Sequence, residues 1–375
     1  MANIRDLCLY IGSGSTPSRK HPEFFVGDTP WLKTKELNDA VVFDTEEKIS
    51  PQALERSSCK LLPVGAVVMA MYGATVGKLG ILGRKMTTNQ ACCAMVPNPE
   101  LLDNRYLFYW LKQNRKQIQD LSNGAAQQNL SVRTIGTIEI EPPPLGEQVC
   151  ISRVLGALDD KIAANNSAVE SAKRLIDTVI CKRASTTKAV TIADELVLHY
   201  GKSLPASKRV PGSIPVVGSG GVGGWHSSSL VEEPTIVVGR KGTIGALHWI
   251  DGPSFPIDTT FWVESKRLPI RFIYSLLKLV DFSGANTDSA VPGLNRSVAY
   301  EKSLPFISDE AVSELLPEVS TLDALCSQLR RETQSLANTR DELLPLLMSG
   351  KITMKEAGQE AMAAGAHTPS QEDEA

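Results

Sequence analysis

The chain has 375 residues, of which 42% are hydrophobic and 22% charged, and its formal net charge is −3. This length and composition predict two or three domains with ordinary packed cores. No apolar run reaches the roughly 20 residues that a membrane-spanning helix requires, and the N-terminus lacks the basic and apolar regions of a signal peptide. We therefore expect a soluble, cytoplasmic protein that does not contact a membrane.

The cysteines and histidines indicate neither a disulfide framework nor a metal centre. Seven cysteines are an odd number without a C-x-x-C pair, and the five histidines are scattered. The sequence also contains no Asn-Pro-Pro-aromatic tetrapeptide of a methyltransferase, no Gly-x-Ser-x-Gly and no H-E-x-x-H. We therefore expect a non-catalytic protein with reduced thiols, no metal and no cofactor.

The net charge hides a difference between segments. Residues 1–145 carry 16 basic and 14 acidic side chains, and residues 187–308 carry 12 and 10, so each segment has a charge of +2. Residues 309–375 carry 5 basic and 13 acidic side chains, which account for the negative total. The two mildly basic segments permit nucleic-acid binding but do not establish it.

In chain order, residues 1–145 begin with an amphipathic stretch and turns marked by glycine and proline. Apolar strands follow within 60–82 and 87–96, then a short helix at 104–114, and three prolines at 142–144 end this part. Residues 187–308 repeat the order, with strands within 232–250 and 257–263 and a helix at 270–280. A Thr-Val/Ile-Gly turn occurs in both parts, at 75–77 and 243–245, and indicates a compact sheet in each.

A long helix follows each sheet-rich part. Residues 147–183 carry a narrow apolar seam with alternating steps of three and four, and 164 positions later leucines recur at every seventh residue. The constant offset indicates an internal duplication. The predicted helix–helix seam consists of Leu158, Ile162, Val169, Ile176, Val179, Leu322, Leu329, Leu336 and Leu343. Asn165 lies in the same seam, where it either fixes the register or faces solvent or a partner without special meaning.

These elements predict an α+β fold with two compact mixed α/β domains, each followed by a long helix, in which the two helices form an antiparallel coiled coil. The expected segments are domain 1 at 1–145, the first spacer helix at 146–186, domain 2 at 187–308 and the second spacer helix at 309–350. Residues 351–375 are polar and alanine-rich and lack a sustained apolar face, so we expect a disordered tail.

Two glycine-rich stretches are similar to nucleotide-binding loops. Residues 218–224 contain G-x-G-x-x-G, but Trp225 and three serines follow, and these residues are poor helix formers. Residues 73–78 are one residue shorter than a P-loop and lack its Ser or Thr after the lysine. Both stretches are therefore interpreted as turns or loops between strands.

The motifs together resemble the specificity subunit of type I restriction-modification systems over residues 3–350. The shared features are the glycine-rich opening, the stretch Tyr72 to Gly77, Asn89-Gln90, Asn129-Leu130, the three prolines and the stretch Leu158 to Ile162 in the long helix, repeated in weaker form. In the second copy, Arg240-Lys241-Gly242 replaces Tyr-Gly-Ala.

The resemblance implies two target-recognition domains, each reading one half of an interrupted double-stranded DNA target. It also implies that the helices fix the gap and dock modification (methyltransferase) subunits and, through them, restriction (motor-nuclease) subunits. The specificity subunit of this family is itself not catalytic. Divergence of the second copy fits a domain that reads a different half-site.

DNA recognition requires cations for phosphates and forked or amide side chains for base edges. The candidates in domain 1 are Lys33, Lys35, Tyr72, Lys78, Arg84, Lys85, Gln127, Gln128, Asn129 and Arg133. The candidates in domain 2 are Lys202, Lys208, Arg209, Arg240, Lys241, Asn295 and Arg296. For each of them a solvated surface position is the alternative, and for Tyr72, Trp31 and Trp225 it is packing in the core or a turn.

Two other classes of function compete with DNA recognition. A coiled-coil adaptor would use the duplicated domains to bind proteins, and its partners would be captured at high salt without any DNA shift. An enzyme is the third class, and methyl transfer by the isolated chain would reveal it.

If the two helices fix the gap, as the resemblance implies, their length should set the length of the DNA spacer. Inserting seven residues into both long helices preserves the seam and adds about 10 Å, which corresponds to about three base pairs. Selection from duplexes with spacers of varied length should therefore yield a spacer that is longer by this amount. Insertion into one helix only is the control, since it breaks the pairing, and an unchanged spacer after the double insertion would show that the helices do not set the gap.

Overall fold

The computed structural model describes residues 1–121, 129–185, 187–282 and 293–366. The chain divides into two units: unit 1 comprises Met1–Asn166 and Leu329–Ala375, and unit 2 comprises Ser167–Gln328. The division falls inside the two long helices, so each unit contains one sheet-rich part and a segment of both helices. This division does not test the expected limits of the sheet-rich domains, 1–145 and 187–308, which remain a prediction.

Two helices are far longer than the others, at 39 and 40 residues. The helices of the described residues are α1 Pro51–Arg56, α2 Asn104–Gln113, α3 Arg115–Asp120, α4 Val132–Gly136, α5 Leu145–Arg183, α6 Ile192–Glu195, α7 Ile270–Leu277, α8 Arg296–Glu301, α9 Asp309–Met348 and α10 Met354–Ala363. Within the described ranges, no helix has both the length and the apolar character needed to cross a membrane.

Unit 1 contains a five-stranded sheet, a three-stranded sheet and a two-stranded ribbon. Its strands are β1 Ala2–Asn3, β2 Cys8–Ser13, β3 Thr29–Leu32, β4 Ala40–Val42, β5 Lys48–Ile49, β6 Val67–Ala70, β7 Leu79–Leu82, β8 Thr87–Thr88, β9 Cys92–Pro97 and β10 Glu139–Ile140. The large sheet has the order β2-β9-β6-β7-β4, the small sheet β5-β3-β8, and β1 pairs with β10. All neighbours in the large sheet are antiparallel except β4 and β7.

Unit 2 repeats this arrangement. Its strands are β11 Ala189–Thr191, β12 Leu196–Tyr200, β13 Ile214–Gly218, β14 Gly221–His226, β15 Thr235–Gly239, β16 Leu247–Ile250, β17 Phe255–Pro256, β18 Thr260–Ser265 and β19 Ser303–Pro305. The order β12-β18-β15-β16 matches β2-β9-β6-β7, β14-β13-β17 matches β5-β3-β8, and β11-β19 matches β1-β10. In both small sheets the central strand has one antiparallel and one parallel neighbour. The fold is therefore mixed α/β with an internal repeat.

One short helix closes the main core of each unit. In unit 1, α2 begins where the Asp103 carboxylate accepts the Tyr106 N–H at 2.8 Å, and it buries Phe108 and Tyr109 beside the fully buried strand β6. In unit 2, α7 places Phe272, Ile273 and Leu276 in the corresponding core. Burial of these large side chains contributes to the apolar stabilisation of each unit.

The seam residues of the long helices are all buried or half-buried. In unit 1, Asp159 contacts Arg340 and Asn165 contacts Glu332. In unit 2, the Val169 carbonyl lies 3.8 Å from the Cys326 thiol, and Arg183 pairs with Glu314. In each unit the residue number on α9 falls as that on α5 rises, so the two helix segments within a unit run in opposite directions.

Asn165 is 3% exposed and its side-chain amide donates to the Glu332 carboxylate at 3.1 Å. The Lys161 ammonium lies 3.4 Å from the same carboxylate. The polar seam position is therefore hydrogen-bonded to the facing helix, as a residue that fixes register would be.

The expectation of a disordered tail from residue 351 is wrong for the part that the structure describes. The helix α10 starts with a capping box, in which Thr353 and Glu356 exchange hydrogen bonds. Ala357 and Ala361 are fully buried in the core of unit 1. The apolar face consists of alanines and was overlooked for that reason, although alanine is the strongest helix former and Thr-x-x-Glu is a start signal. Residues 367–375 lie outside the described residues.

Carboxylates on the long helices bind the short helix of each sheet-rich part. In unit 1, Asp159 accepts the Tyr109 hydroxyl and the Arg340 guanidinium, both at 2.6 Å. Burial raises the pKa of Tyr109 well above its ordinary value, and the Asp159 charge raises it further, so the phenol stays a donor.

In unit 2, Asp177 accepts the Ser275 hydroxyl and the Lys278 ammonium, both at 2.7 Å. The buried Arg271 lies between Asp177, at 3.4 Å, and Asp323, at 3.2 Å. Asp177 thus joins three side chains of α7 and its end to α5, whereas Asp323 has Arg271 alone as its hydrogen-bond partner among the described residues.

Asp177→Asn should lower the free energy of unfolding by about 2–4 kcal/mol, because it leaves Lys278 and the buried Arg271 with fewer partners. Asp323→Asn is the matched control and should change the free energy of unfolding by less than about 1 kcal/mol. Burial raises the pKa of Asp323, and Asp177 raises it further, while Arg271 lowers it without reversing the shift. The ionised form of Asp323 therefore adds little stability at neutral pH.

The same raised pKa gives a pH dependence with a defined sign. The folded chain binds the Asp323 proton more tightly than the unfolded chain, so wild-type stability should rise as the pH falls through the raised pKa. Asp323→Asn lacks this contribution, so its stability relative to the wild type should decrease as the pH falls from 7 toward the ordinary aspartate pKa of 3.8. Urea denaturation followed by circular dichroism measures the free energy of unfolding of both variants. An equal decrease in both at pH 7 would contradict the conclusion that Asp177 stabilises unit 2 more than Asp323 does.

Candidate nucleic-acid interface

Two arginines of unit 2 share one exposed aromatic ring. Tyr200 ends β12 and is 49% exposed. The guanidinium carbons of Arg240 and Arg296 lie 5.2 and 5.1 Å from its ring centroid. Among the described residues neither arginine forms a salt bridge, and the Arg240 guanidinium donates only to the Asp258 carbonyl, at 3.1 Å. We call Tyr200, Arg240, Lys241 and Arg296 the cationic patch.

The backbone holds the cationic patch in place. The N–H groups of Arg240 and Lys241 both donate to the Thr259 carbonyl, at 2.9 and 3.0 Å, and the Arg240 carbonyl accepts the Leu294 N–H at 2.8 Å. The turn after Lys241 requires Gly242, whose φ is +80°. The positions of the two cations are therefore set by main-chain hydrogen bonds and not by flexible side chains alone.

Asn295 and Arg296 stand at the start of α8. The Asn295 side chain accepts the Ser297 N–H at 3.0 Å, so it caps the helix and is already engaged. The Ser297 hydroxyl donates to the same oxygen at 2.9 Å. Asn295 stays a candidate for a base contact, and its neighbour Arg296 lies over Tyr200.

The other cations of unit 2 lie on neighbouring segments. Lys202 follows Tyr200 by two residues and is exposed, and its N–H donates to the Pro256 carbonyl at 3.1 Å. Lys208 is exposed at the end of a 3-10 turn. The Arg209 guanidinium donates to the Gly223 carbonyl at 2.7 Å and so lies against the hairpin β13–β14.

Unit 1 has the equivalent turn with different side chains. The Met71 carbonyl accepts the Leu130 N–H at 3.0 Å, as the Arg240 carbonyl accepts that of Leu294. This bond brings Asn129, which is exposed, next to the turn that carries Tyr72, which is 38% exposed. Gln127 and Gln128 lie outside the described residues.

Lys78 ends this turn and is held by an aspartate that the sequence did not single out. Asp39 has a positive φ of 64°, and its carboxylate accepts two hydrogen bonds from Arg115 at 3.0 and 2.5 Å, with Lys78 at 3.4 Å. Burial by itself would raise the pKa of Asp39, but the hydrogen bonds and charges of Arg115 and Lys78 and the Leu79 N–H lower it overall. The carboxylate therefore stays ionised and fixes the turn.

Lys33 and Lys35 belong to a separate ion-pair cluster. The Lys33 ammonium lies 2.6 Å from Glu47 and 3.3 Å from Glu46, and its side chain is 16% exposed. The hydrogen bond to Glu47 raises the pKa of Lys33. Lys35 pairs with Glu46. A phosphate would have to displace these carboxylates, which sequence spacing could not reveal because the glutamates lie more than ten positions away.

The remaining candidates of unit 1 are exposed but lie on other segments. Arg84 and Lys85 occupy the turn between β7 and β8, and Arg133 lies on α4. Trp31 is buried, with its indole N–H donating to the Ser15 carbonyl at 2.9 Å, so it is a core residue. Tyr200 was missed by sequence reasoning, although an aromatic residue directly before Gly201 and Lys202 was a usable signal.

The glycine-rich stretches form turns, as predicted. Residues 218–224 lie in the hairpin β13–β14 with no helix following, and residues 73–75 form a 3-10 turn. Within the described ranges, no group of three or more His, Cys, Asp or Glu side chains could hold a metal ion, and all seven cysteines are free.

An open cleft of about 520 Å³ lies on unit 1 beside α5. Its lining includes Asp103, Arg105, Ser152 and Asp160. Two hydrogen bonds of 3.1 and 3.0 Å join the Arg105 guanidinium to Asp160, so the charges at the cleft are largely paired. These properties suit a protein surface better than a phosphate backbone.

Comparison with known proteins finds similar specificity subunits. The model of the type I restriction modification DNA specificity domain matches residues 1–172. The MjaIX specificity subunit of Methanocaldococcus jannaschii is 31% identical over 157 residues, which is 40% of this chain and 36% of that protein. The MjaVIII specificity subunit of the same organism is 20% identical over 95% of this chain and 93% of its own length.

A crystal structure of a type I restriction-modification S subunit from M. genitalium has a similar fold. It superimposes with a TM-score of 0.55 at 20% sequence identity and covers 92% of this chain and 94% of its own. At this identity the similarity concerns the fold and not individual side chains.

Proposed function

We propose that this chain, whose residues 1–172 match the model of the type I restriction modification DNA specificity domain, is a type I specificity subunit that recognises an asymmetric, interrupted sequence in double-stranded DNA. Each unit reads one half-site. The chain itself is not catalytic; it directs methylation by modification subunits and, through them, cleavage by restriction subunits. All of these act in the cytoplasm.

One observation carries the proposal. Two sheets with the same strand order present the same turn, held by the same hydrogen bond at Met71–Leu130 and at Arg240–Leu294, but with different side chains. A single scaffold with two different sets of exposed groups is what reading two different half-sites requires. Arg240 and Arg296, which form no salt bridge within the described part of unit 2, would supply phosphate contacts that position such a reader.

Exchanging residues 187–308 for the corresponding segment of another specificity subunit should change one half of the recognised sequence and leave the other half unchanged. The reason is that each unit has its own core and its own exposed turn. Sequencing methylated positions in host DNA, with the modification subunits present, gives both halves. A change in both halves, or in neither, would show that the units do not read separately.

Loss of Arg240 and Arg296, the two cations over Tyr200, should lower the affinity for DNA and also make this affinity less dependent on salt. The double variant Arg240→Gln, Arg296→Gln removes up to two phosphate contacts, so the slope of log K against log salt should decrease by about 1.8. Lys35→Gln removes one charge that is already paired with Glu46 and is the control, for which we expect an unchanged slope.

Titrations of duplex DNA at several salt concentrations, with the full chain and its modification subunits, measure these slopes. Equal slopes in the double variant and the wild type would remove the cationic patch from the interface. Salt-insensitive capture of proteins with no binding of any DNA would instead favour the coiled-coil adaptor.

A further inference from the structure

The hairpin β13–β14 exposes two apolar side chains. Val222 is 53% and Trp225 57% exposed, whereas the neighbouring His226 is buried and its Nδ1 accepts the Val210 N–H at 3.0 Å. Five of the seven residues at 218–224 are glycines. A Cβ added at Gly220 or Gly223 would meet nothing within 4 Å, so the ribbon has little side-chain bulk around its tip.

The hairpin is continuous with the cationic patch. A Cβ added to Gly239 or Gly242, which flank Arg240 and Lys241, would lie 3.2 Å from the Ser219 side chain at the hairpin tip. The His248 Nε2 lies 3.0 Å from the Ser219 carbonyl and ties the tip to β16. Arg209 donates to the Gly223 carbonyl, so a further cation lies directly on the ribbon.

These features fit the chemistry of a DNA groove. The major groove is about 12 Å wide and admits a two-stranded β-ribbon. β13 also pairs with the short strand β17 at Val216 and Val217, so β14, which carries Trp225, is the open edge of this small sheet. Glycines allow the backbone to approach base edges closely, since they have no side chain to interfere. Arginines on and beside the ribbon match the phosphates along the groove, and an apolar side chain has one apolar partner there, the C5-methyl group of thymine.

We propose that the hairpin of residues 214–226 enters the major groove of the half-site read by unit 2, with Trp225 contacting a thymine methyl group. This inference rests on the proposed function and adds a specificity residue to it. Trp225 reads a base, while Arg209 and the cationic patch hold the backbone on either side.

Charge favours DNA over a protein as the occupant of this surface. The ribbon and the patch beside it bring together Arg209, Arg240, Lys241 and Arg296, and the arginines at 240 and 296 form no salt bridge among the described residues. A protein partner would need an acidic surface of matching shape. Duplex DNA provides one phosphate charge per roughly 1.7 Å of axis, whatever its sequence.

The test compares the base preferences of the wild type, Trp225→Ala and Trp225→Phe. Each full chain, with its modification subunits, selects bound sequences from duplexes randomised across both half-sites. Trp225→Ala should lose roughly 5- to 150-fold of discrimination at one or two adjacent A·T positions of the half-site assigned to residues 187–308. Trp225→Phe keeps a flat apolar ring and should retain most of it.

Two controls separate base reading from other effects. Leu9→Ala removes an apolar side chain of unit 1 that is 68% exposed and should leave this half-site unchanged. Replacing the contacted thymine by uracil deletes only the methyl group. This replacement should weaken DNA binding by the wild type and leave the DNA affinity of Trp225→Ala unchanged. All variants should melt within a few degrees of the wild type, because residue 225 is exposed.

The failure modes can be told apart. A wild type without any sequence preference contradicts the proposed function and this inference with it. If the wild type recognises two half-sites and Trp225→Ala keeps both base preferences, the inference alone is overturned. It is also overturned if Trp225→Ala loses its preference only at a position where the wild type does not select thymine. Loss of a partner protein with unchanged base preferences would assign the hairpin to a protein contact and also overturn it.

Discussion

The structure of each unit depends on carboxylates that project from the long helices into the sheet-rich part. Asp159 accepts hydrogen bonds from Tyr109 of α2 and Arg340 of α9, and Asp177 accepts them from Ser275 and Lys278 at α7. Removing a carboxylate from water costs free energy unless its oxygen atoms are hydrogen-bonded. These contacts are satisfied together only when the sheet-rich part, α5 and, in unit 1, α9 meet in one arrangement. The apolar seam supplies stability, and the carboxylates select the geometry.

Each unit fixes its sheet-rich part to α5 through such a carboxylate. The exposed turns do not take part in these contacts, so they can differ between the two units. The turn after β6 and the turn after β15 keep the same main-chain hydrogen bond to a leucine, but one displays Tyr72 and the other Arg240 and Lys241. Main-chain hydrogen bonds do not depend on side-chain identity, so the turns can diverge without loss of the sheet. The duplicated fold thus separates the residues that stabilise from those that would recognise DNA.

The sequence predicted what depends on local periodicity and failed where distant residues meet. The heptad leucines and the repeated glycine turns identified both long helices and the repeat, because helix period and turn conformation are local properties. Two sets of ion pairs depend on tertiary contacts that sequence spacing does not encode. Lys33 pairs with Glu46 and Glu47. Asp39 accepts hydrogen bonds from Arg115 and Lys78. The buried alanines of α10 were missed because their packing depends on the partner surface.

Electrostatics at the candidate interface follows from pairing and not from net charge. The overall charge is −3, yet what a phosphate meets locally is set by which cations already have carboxylate partners. Lys33 and Lys35 are paired with glutamates, whereas Arg240 and Arg296 lie over Tyr200 without a salt bridge among the described residues. A guanidinium is weakly hydrated and stacks on an aromatic face while its N–H groups stay free to donate. The aromatic ring therefore holds the two arginines in place and leaves their charge uncompensated, which an ion pair would not do.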